Sequence, residues 1–251
     1  MARLRIIPRL DVKGANLIKG IRLEGLRVVG DPHEFALKYY AQGADEIIFM
    51  DIVASLYQRN NLTDIIQRAA DQIYIPITVG GGIRSIDDVH TMLRSGADKV
   101  AINTAAIARP ELISEVSSRY GSQCMVLSVE AKHTGPGKWE AYTDNGREHT
   151  GLDVVDWIAR AVGLGAGEVM VTAVDQEGTR KGLDIDLMRA VNARVNVPVI
   201  ASGGFGDPAD LKRASDVGTS AIAIADALHW QRTTVGEIKQ QARQSGLEVR
   251  L

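Results

Sequence analysis

Internal repetition is the feature that most constrains the fold, because the second half of the chain repeats the first at a spacing of 122 residues. Residues 43–47 (GADEI) recur as residues 165–169 (GAGEV), and residues 76–82 (PITVGGG) recur as residues 198–204 (PVIASGG). This period is too long for a solenoid, but it suits a half-barrel of four βα units that must double to close a sheet without edges. We therefore predict an α/β fold, a (β/α)8 (TIM) barrel in one domain spanning 1–251, built from two repeated half-barrels, roughly 1–121 and 122–251.

Composition agrees with a single barrel of this kind. A chain of 251 residues that is 45% hydrophobic can fill a layered core inside a ring of helices. The net charge of −2 gives no electrostatic reason to expect nucleic acid or an anionic membrane as a partner. Cys124, the single cysteine, is typical of a reducing cytoplasm, and we recognise no signal peptide or membrane span. We expect a cytoplasmic protein that binds neither membrane nor nucleic acid.

Eight short runs rich in β-branched residues are each followed by turn residues and a helical pattern, which predicts alternating strands and helices. Three helices are predicted with particular clarity, at Pro32–Gln42 after Asp31, at Ser85–Ser95, and at Pro208–Val217 after Asp207. The predicted barrel strands, numbered first to eighth, are Leu4–Leu10, Glu46–Asp51, Ile77–Val79, Lys99–Asn103, Met125–Glu130, Glu168–Thr172, Val199–Ser202 and Ala221–Ala225.

Two stretches depart from this alternation, residues 13–30 and residues 133–150. Each follows the first strand of a half-barrel, so both lie at the carboxyl ends of strands. Barrel enzymes carry their chemistry at that end. We therefore look for functional residues there.

Two carboxylates end equivalent strands of the repeat: Asp11 closes the first predicted strand and Glu130 closes the fifth. These strands are opposite in an eight-stranded barrel, so the two carboxylates face each other across the mouth. That arrangement suits general acid and general base catalysis on a ligand held between them. The alternative is that each acid pairs with a neighbouring lysine, Lys13 or Lys132, or caps a loop. The symmetric placement favours the catalytic interpretation.

Glycine clusters end the third and seventh predicted strands, in residues 80–82 (GGG) and 202–204 (SGG). Glycine lets backbone N–H groups approach an anion, and Asn103 and Thr104 add donors beside the first cluster. Two such phosphate cradles on opposite sides imply a substrate with a phosphate at each end. The alternative is that the glycines serve only tight turns between strand and helix.

The two cradles differ in charge. Thr104, a hydroxyl donor in the first half, corresponds to Asp226 in the second half. A carboxylate repels a phosphate dianion unless it turns away or is protonated, and Glu177, just before Gly178, adds a further negative charge. We therefore expect the two halves to recognise different chemical groups.

Several segments, spread over essentially the whole chain, resemble the cyclase subunit of imidazole glycerol phosphate synthase, the HisF family. The resemblance implies a lyase of histidine biosynthesis that forms a heterodimer with a HisH-like glutaminase and takes ammonia from it. The substrate would be a ribulosyl aminoimidazole carboxamide with two phosphates, and the products imidazole glycerol phosphate and the carboxamide ribonucleotide AICAR. We expect no cofactor and no metal, because the five histidines show no metal-ligand spacing. The resembling segments are residues 6–12 (IIPRLDV), 30–32 (GDP), 79–83 (VGGGI), 97–106 (ADKVAINTAA), 121–123 (GSQ) and 200–204 (IASGG).

The resemblance assigns roles to individual residues. Asp11 matches one catalytic acid-base, and Glu130 stands where the family normally has the second, an aspartate. Lys19, on the loop after the first strand, matches a lysine that contacts the substrate. The remaining matches are the first phosphate site at Gly82, Asn103 and Thr104, and part of the second at Gly178, Gly203 and Gly204.

Four charged residues match the ring that gates ammonia entry at the opposite end of the family's barrel: Arg5, Glu46, Lys99 and Glu168. They lie at the amino ends of the first, second, fourth and sixth predicted strands, so two cations and two anions meet on the axis. Without the resemblance we would favour a stabilising cluster of ion pairs, because this end of the fold usually serves stability. With it, we favour an ammonia gate.

Three departures from the family pattern leave an alternative open. Arg9 replaces a small residue, Glu130 is one methylene longer than aspartate, and Asp226 replaces a serine. Such changes suggest a paralogue that uses ammonia from a glutaminase to amidate another substrate, such as a surface-polysaccharide sugar.

Two further alternatives are weaker. A noncatalytic barrel that only regulates a glutaminase would not need Asp11 and Glu130. An isomerase of the same superfamily, acting on the preceding histidine intermediate, would share those acids but would need no ammonia gate.

Overall fold

The computed structural model describes residues 3–52 and 62–250. Eight parallel strands form a closed barrel, in which each barrel strand pairs with the next one along the chain and the last pairs back with the first. The predicted (β/α)8 barrel is confirmed. Its strands are β1 (Arg5–Lys13), β4 (Ile47–Asp51), β5 (Ile77–Gly80), β6 (Lys99–Ile102), β7 (Met125–Gly135), β10 (Glu168–Ala173), β11 (Val199–Ser202) and β12 (Ala221–Ile224).

The two irregular stretches of the sequence are β-hairpins. One consists of β2 (Asn16–Ile21) and β3 (Glu24–Gly30), and the other of β8 (Lys138–Thr143) and β9 (Glu148–Asp153). The strands β1 and β7 are longer than predicted because each continues beyond the barrel and pairs antiparallel with its hairpin. Asp11 and Glu130 therefore lie within strands that rise above the mouth, not at strand ends.

Helices cover the outside of the barrel. Asp31 caps the first, where its side chain accepts hydrogen bonds from the backbone N–H groups of His33 and Glu34. Ser85 is a cap, not the first helical residue as predicted, because its side chain forms a capping box with Asp88. The helices are α1 (Pro32–Ala41), α2 (Thr63–Ala70), α3 (Ile86–Arg94), α4 (Thr104–Ala108), α5 (Glu111–Tyr120), α6 (Val154–Gly163), α7 (Ile185–Asn192), α8 (Ala209–Asp216), α9 (Asp226–His229) and α10 (Val235–Gln244).

The core has two layers because successive strand residues point to opposite faces of the sheet. On β1, Ile6, Leu10 and Val12 pack outward against the helices. Ile7 packs inward, where a separate apolar cluster fills the middle of the barrel. Residues 5, 7, 9 and 11 of β1 therefore share the inner face and run along the barrel axis from one end to the other.

The repeat is visible in the strand positions. The strands β5 and β11 begin at Ile77 and Val199, and β6 and β12 begin at Lys99 and Ala221, which preserves the spacing of 122 residues. The hairpin insertions follow β1 and β7, the first strands of the two halves. Among the described helices, none has the length and apolar character needed to cross a membrane.

Candidate active site

Four charged side chains form a closed ring at the amino-terminal end of the barrel axis. Arg5 Nη1 and Lys99 Nζ each lie 3.0 Å from Glu46 Oε2. Arg5 also pairs with Glu168, and Lys99 Nζ lies 2.7 Å from Glu168 Oε2. Each cation therefore contacts both anions. The structure brings the four predicted residues together, and their gating role stays a prediction.

The ring is anchored by buried carboxylates. The side chains of Glu46 and Glu168 are only 2% and 6% exposed, whereas Arg5 is 28% exposed and Lys99 18%. Thr78, which sequence reasoning missed, donates a hydrogen bond from Oγ1 to Glu46 Oε1. Burial alone would raise the pKa of Glu168, but the adjacent Arg5 and Lys99 charges outweigh it and lower that pKa. The cations are thus the parts of the ring that solvent or a partner could reach.

Arg9 spans the inside of the barrel near the opposite end. Its Nε donates to Asp11 Oδ1 at 2.8 Å. Its Nη1 donates to Thr172 Oγ1 at 2.8 Å and to Ser202 Oγ at 3.2 Å. The guanidinium is therefore held by β1, β10 and β11 together. Burial acts to lower the pKa of Arg9, but the charges of Asp11 and Glu177 and the hydrogen bond to Asp11 outweigh burial and raise that pKa, so the guanidinium stays protonated.

The two predicted catalytic acids have different surroundings. Asp11 is 4% exposed and bonded to Arg9. Glu130 is partly buried, and its Oε2 accepts a hydrogen bond from the backbone N–H of Gly146 at 2.8 Å. Burial raises the pKa of Glu130 to about 7, and the nearby Asp11 charge adds to this, while the Gly146 N–H and the Arg9 charge oppose it. The two acids therefore differ: Asp11 accepts a hydrogen bond from Arg9, whereas the pKa of Glu130 lies near neutral pH.

Glu130 lines a cavity of about 440 Å³, which we call the first cavity. Gly82, Asn103 and Thr104, the predicted first phosphate cradle, line the same cavity. Asn103 Nδ2 donates to the carbonyl of Tyr142, but its buried Oδ1 has no partner among the described residues. The further lining residues include two cations that sequence reasoning missed, Arg84 and Arg109. The sequence could have indicated both arginines, because they follow the third and fourth barrel strands and therefore lie near the carboxyl end of the barrel.

The predicted second phosphate residues, Gly178, Gly203 and Gly204, line a much smaller cavity of about 20 Å³, which we call the second cavity. Their glycine character has a structural cause. A Cβ on Gly203 would lie 2.7 Å from the carbonyl oxygen of Ala173, and one on Gly178 would lie 2.7 Å from that of Gly20. Close backbone packing therefore requires glycine here, whether or not a ligand binds.

Lys19 does not lie free in the mouth. It is 3% exposed, and its ammonium pairs with Glu177 in the loop after β10. The backbone N–H of Arg22 donates to the carbonyl of Glu177 at 2.9 Å, so the β2–β3 hairpin is bound to that loop. In this conformation the Lys19 ammonium is buried against Glu177, and contact of Lys19 with a substrate stays a prediction.

Asp226 carries two arginine neighbours that sequence reasoning missed. Arg180 Nε and Arg232 Nε each lie 3.5 Å from Asp226 Oδ1. With Lys19 and Trp230 they line an outer groove of about 640 Å³ beneath the β2–β3 hairpin. The negative charge of Asp226 is thus partly balanced from the solvent side. Within the described ranges, no group of three or more histidine, cysteine, aspartate or glutamate side chains is placed to hold a metal ion.

The fold and the site define a class of protein, a (β/α)8 barrel with carboxylates at its carboxyl mouth and a closed charge ring at its amino end. A family model described as histidine biosynthesis protein matches residues 5–234. The chain belongs to this family, among the HisF cyclase subunits of imidazole glycerol phosphate synthase.

Three curated HisF subunits illustrate the similarity. The protein of Legionella pneumophila is 63% identical over 206 residues, which are 82% of this chain and 97% of that protein. The protein of Frankia casuarinae is 49% identical over 250 residues, 98% of each chain. The protein of Myxococcus xanthus is 49% identical over 251 residues, 100% of this chain and 99% of its own. All three carry the name imidazole glycerol phosphate synthase subunit HisF.

Proposed function

We propose that this chain is the ammonia-dependent cyclase subunit of imidazole glycerol phosphate synthase in histidine biosynthesis. The observation that carries the proposal is the axial arrangement of β1, which places Arg5 in the charge ring and Asp11 at the catalytic mouth. Both residues lie on the inner face of one strand, with Ile7 and Arg9 between them. Family membership supplies the substrate class: a ribulosyl aminoimidazole carboxamide that yields imidazole glycerol phosphate and AICAR.

The acid pair supplies the proton transfers. Addition of ammonia to a carbonyl carbon requires a base that accepts a proton from nitrogen and an acid that protonates oxygen. Asp11, which accepts a hydrogen bond from Arg9, acts as the base. Glu130, whose pKa is about 7, acts as the acid from the opposite side of the mouth. The first cavity provides room for the substrate beside Glu130.

Ammonia reaches this mouth through the middle of the barrel. The inner cluster between the charge ring and Arg9 is apolar, and it includes Ile7, Ile48, Val126, Met170 and Ile200. Such a lining favours neutral ammonia over the ammonium ion, because an unpaired charge is costly there. Arg9 narrows the end of the route, so ammonia would pass beside its guanidinium.

A HisH-like glutaminase would dock at the amino-terminal end, where the cations of the ring are partly exposed. A stable heterodimer would bury about 1,600 Å² in total. Lys99 and Arg5 could then respond to the partner by exchanging pairing with the two glutamates. We place the complex in the cytoplasm, in line with the expectation from the single cysteine.

One observation favours a second candidate, amidation of another ammonia acceptor. Arg9 and Asp226 put a buried cation and an additional carboxylate into the mouth, and both differ from the family pattern. A different acceptor, such as a surface-polysaccharide sugar, would require a differently charged site. The comparisons give this candidate no support, so it stands second.

The test is turnover of the purified chain with the ribulosyl carboxamide bisphosphate and saturating ammonium salts, measured near pH 7. We expect imidazole glycerol phosphate and AICAR in equal amounts. A control variant, Asp216→Asn, alters an exposed carboxylate on α8 and should form the same products. A wild-type chain that folds but forms neither product would refute the proposal and promote the second candidate.

A further inference from the structure

Two arginine side chains converge at the outer groove. Arg180 lies in the loop after β10 and Arg232 in the loop after α9, and the Nε atom of each lies 3.5 Å from Asp226 Oδ1. That distance allows charge attraction but no hydrogen bond, and Oδ1 accepts none from any described residue. Asp226 therefore draws the two guanidinium groups together without occupying their hydrogen-bond donors.

Both guanidinium groups keep donors for a ligand. The side chains of Arg180 and Arg232 are 47% and 46% exposed, and their Nη1 and Nη2 atoms donate to no described residue. A guanidinium carries its N–H donors in a planar fork, which matches the oxygens of a phosphate group. Two such forks at one groove are suited to a phosphate monoester, whose free oxygens both forks can bind.

The backbone fixes the position of Arg180. Its φ is 58°, in the left-handed region that residues other than glycine rarely adopt. The chain packs closely around it, because a Cβ on Gly206 would lie only 2.3 Å from the Arg180 carbonyl oxygen. Backbone conformations of this kind cluster at ligand sites. The surrounding structure therefore holds Arg180 beside the groove.

The outer groove carries a net positive charge. Lys19, which also lines it, is neutralised by Glu177, although Glu177 Oε2 has no donor among the described residues. The other charged lining residues are three arginines and two carboxylates, namely Arg27, Arg180, Arg232, Glu24 and Asp226. The arginines outnumber the carboxylates, so the groove attracts an anion even though Asp226 lies within it.

The outer groove adjoins the rest of the mouth. Gly178 and Asp226 line both the groove and the second cavity, and Arg9 lines both the second cavity and the first. The second cavity, of about 20 Å³, has space for about one water-sized group, whereas the groove of about 640 Å³ has space for a whole phosphate. A substrate with one phosphate in the first cavity can therefore extend past Arg9 and place its other phosphate where Gly178 borders the groove.

We propose that Arg180 and Arg232 bind the second phosphate of the substrate, in the outer groove beside Gly178. The inference rests on the proposed function for its two-phosphate substrate. It deepens that function by adding two side-chain cations to a site for which the resemblance supplies only backbone glycines. The two halves of the barrel then bind phosphate differently, through backbone, amide and hydroxyl donors in the first half and through guanidinium groups in the second.

Inorganic phosphate is the first probe, followed by NMR through the backbone amides of residues 178 and 226 in the groove and of residues 82 and 104 in the first cavity. Phosphate should shift both sets in the wild type, whereas chloride at equal ionic strength should not. Arg180→Gln combined with Arg232→Gln should weaken phosphate binding at 178 and 226 by about 10-fold or more. Binding at 82 and 104 should change by less than about 2-fold, because that site is separate.

The control variant is Arg189→Gln, which removes an exposed arginine on α7 and should alter phosphate binding at neither site. All variants are first checked by thermal unfolding. If the double variant does not fold, the two single variants replace it, each with an expected loss of about 3-fold or more at 178 and 226.

Turnover is the second measurement, because it connects the groove with the substrate and not only with free phosphate. With the ribulosyl carboxamide bisphosphate and saturating ammonium salts, the double variant should raise KM by about 10-fold or more and change kcat by less than about 3-fold, as expected when a contact remote from the reacting atoms is lost. Arg189→Gln should leave both constants unchanged.

The inference is overturned if phosphate does not shift the amides of 178 and 226 in the wild type, or if chloride shifts them equally. It is also overturned if the folded double variant keeps its phosphate affinity there, or loses it equally at 82 and 104. The phosphate titration involves no turnover. An inactive chain that binds phosphate through both arginines therefore refutes only the proposed function, and an active chain whose KM is the same without them refutes only this inference.

Discussion

Arg9 donates a hydrogen bond from Nε to Asp11 Oδ1 at 2.8 Å, across two residues of the same strand. Because β1 alternates between its two faces, both side chains enter the barrel, and a cation lies directly below the predicted catalytic base. The pair is almost fully buried, with side chains 6% and 5% exposed. Arg9 therefore fixes the position of the Asp11 carboxyl group.

Removing Arg9 should destabilise the protein strongly. Arg9→Met leaves the Asp11 carboxylate buried without its partner, which costs about 3–5 kcal/mol of unfolding free energy. The measurement is urea unfolding at neutral pH. Arg9→Met combined with Asp11→Asn should recover part of the loss, because no uncompensated charge remains. Arg189→Ala breaks an exposed pair on α7 and should stay within about 1 kcal/mol of wild type. An equal loss of unfolding free energy in Arg9→Met and Arg189→Ala would contradict the stabilising role of the buried Arg9–Asp11 pair.

Asp11→Asn should lower ammonia-dependent turnover by about 100-fold or more, the scale of a lost general base. Asparagine keeps the shape and can still accept the hydrogen bond from Arg9, so the barrel should remain folded by circular dichroism. Steady-state kinetics with saturating ammonium salts measures the effect. Turnover within a few-fold of wild type would contradict a catalytic role for Asp11.

Glu130 should make stability depend on pH. Its pKa in the folded protein is about 7, above the ordinary value for glutamate, so the folded state binds this proton more tightly than the unfolded chain. Its contribution is most favourable below the unfolded pKa and is lost as pH rises through about 7. Relative to wild type, Glu130→Gln should gain about 1–3 kcal/mol of unfolding free energy between about pH 5 and pH 8.

The control for this prediction is Glu115→Gln, an exposed glutamate on α5 that pairs with Arg109. It should show no such gain over the same pH interval.

The pH dependence of kcat should also report the protonation of Glu130. If Glu130 is the general acid, kcat falls as pH rises through about 7, and Glu130→Gln abolishes this decrease. If the decrease in kcat persisted in Glu130→Gln, it would have to be assigned to another titrating group.

Lys99→Ala should affect product formation from glutamine more than product formation from ammonium salts. The substitution opens the ring by removing the contacts of Lys99 with Glu46 and Glu168. We expect glutamine hydrolysis and product formation to become uncoupled in the complex, while activity with ammonium salts changes by no more than about 3-fold. Lys212→Ala, an exposed lysine on α8, is the control. Equal losses with both nitrogen sources would favour a purely structural ion-pair cluster.

The sequence by itself determined the barrel and the ends at which its charged residues lie. A repeat of 122 residues, strand-length apolar runs and glycines at the ends of strands and helices can all be recognised in the sequence, and a closed parallel sheet is the architecture that satisfies them together. The same reasoning placed Arg5 and Lys99 at one end and Asp11 and Glu130 at the other, because parallel strands share their direction.

Only the tertiary structure decided what these residues contact. Arg9 is held by Thr172 and Ser202, which are 163 and 193 positions away in the chain, and no periodicity predicts such a bond. The sequence marks the two hairpin stretches only as departures from the strand-helix alternation, although the Asn145-Gly146 pair is typical of a hairpin turn. The proton affinity of Glu130 and the unpaired oxygens of Glu177 and Asp226 arise from burial and from neighbours on distant elements. A sequence determines which groups are available, but their charge and their unmet hydrogen bonds depend on the distances that folding imposes.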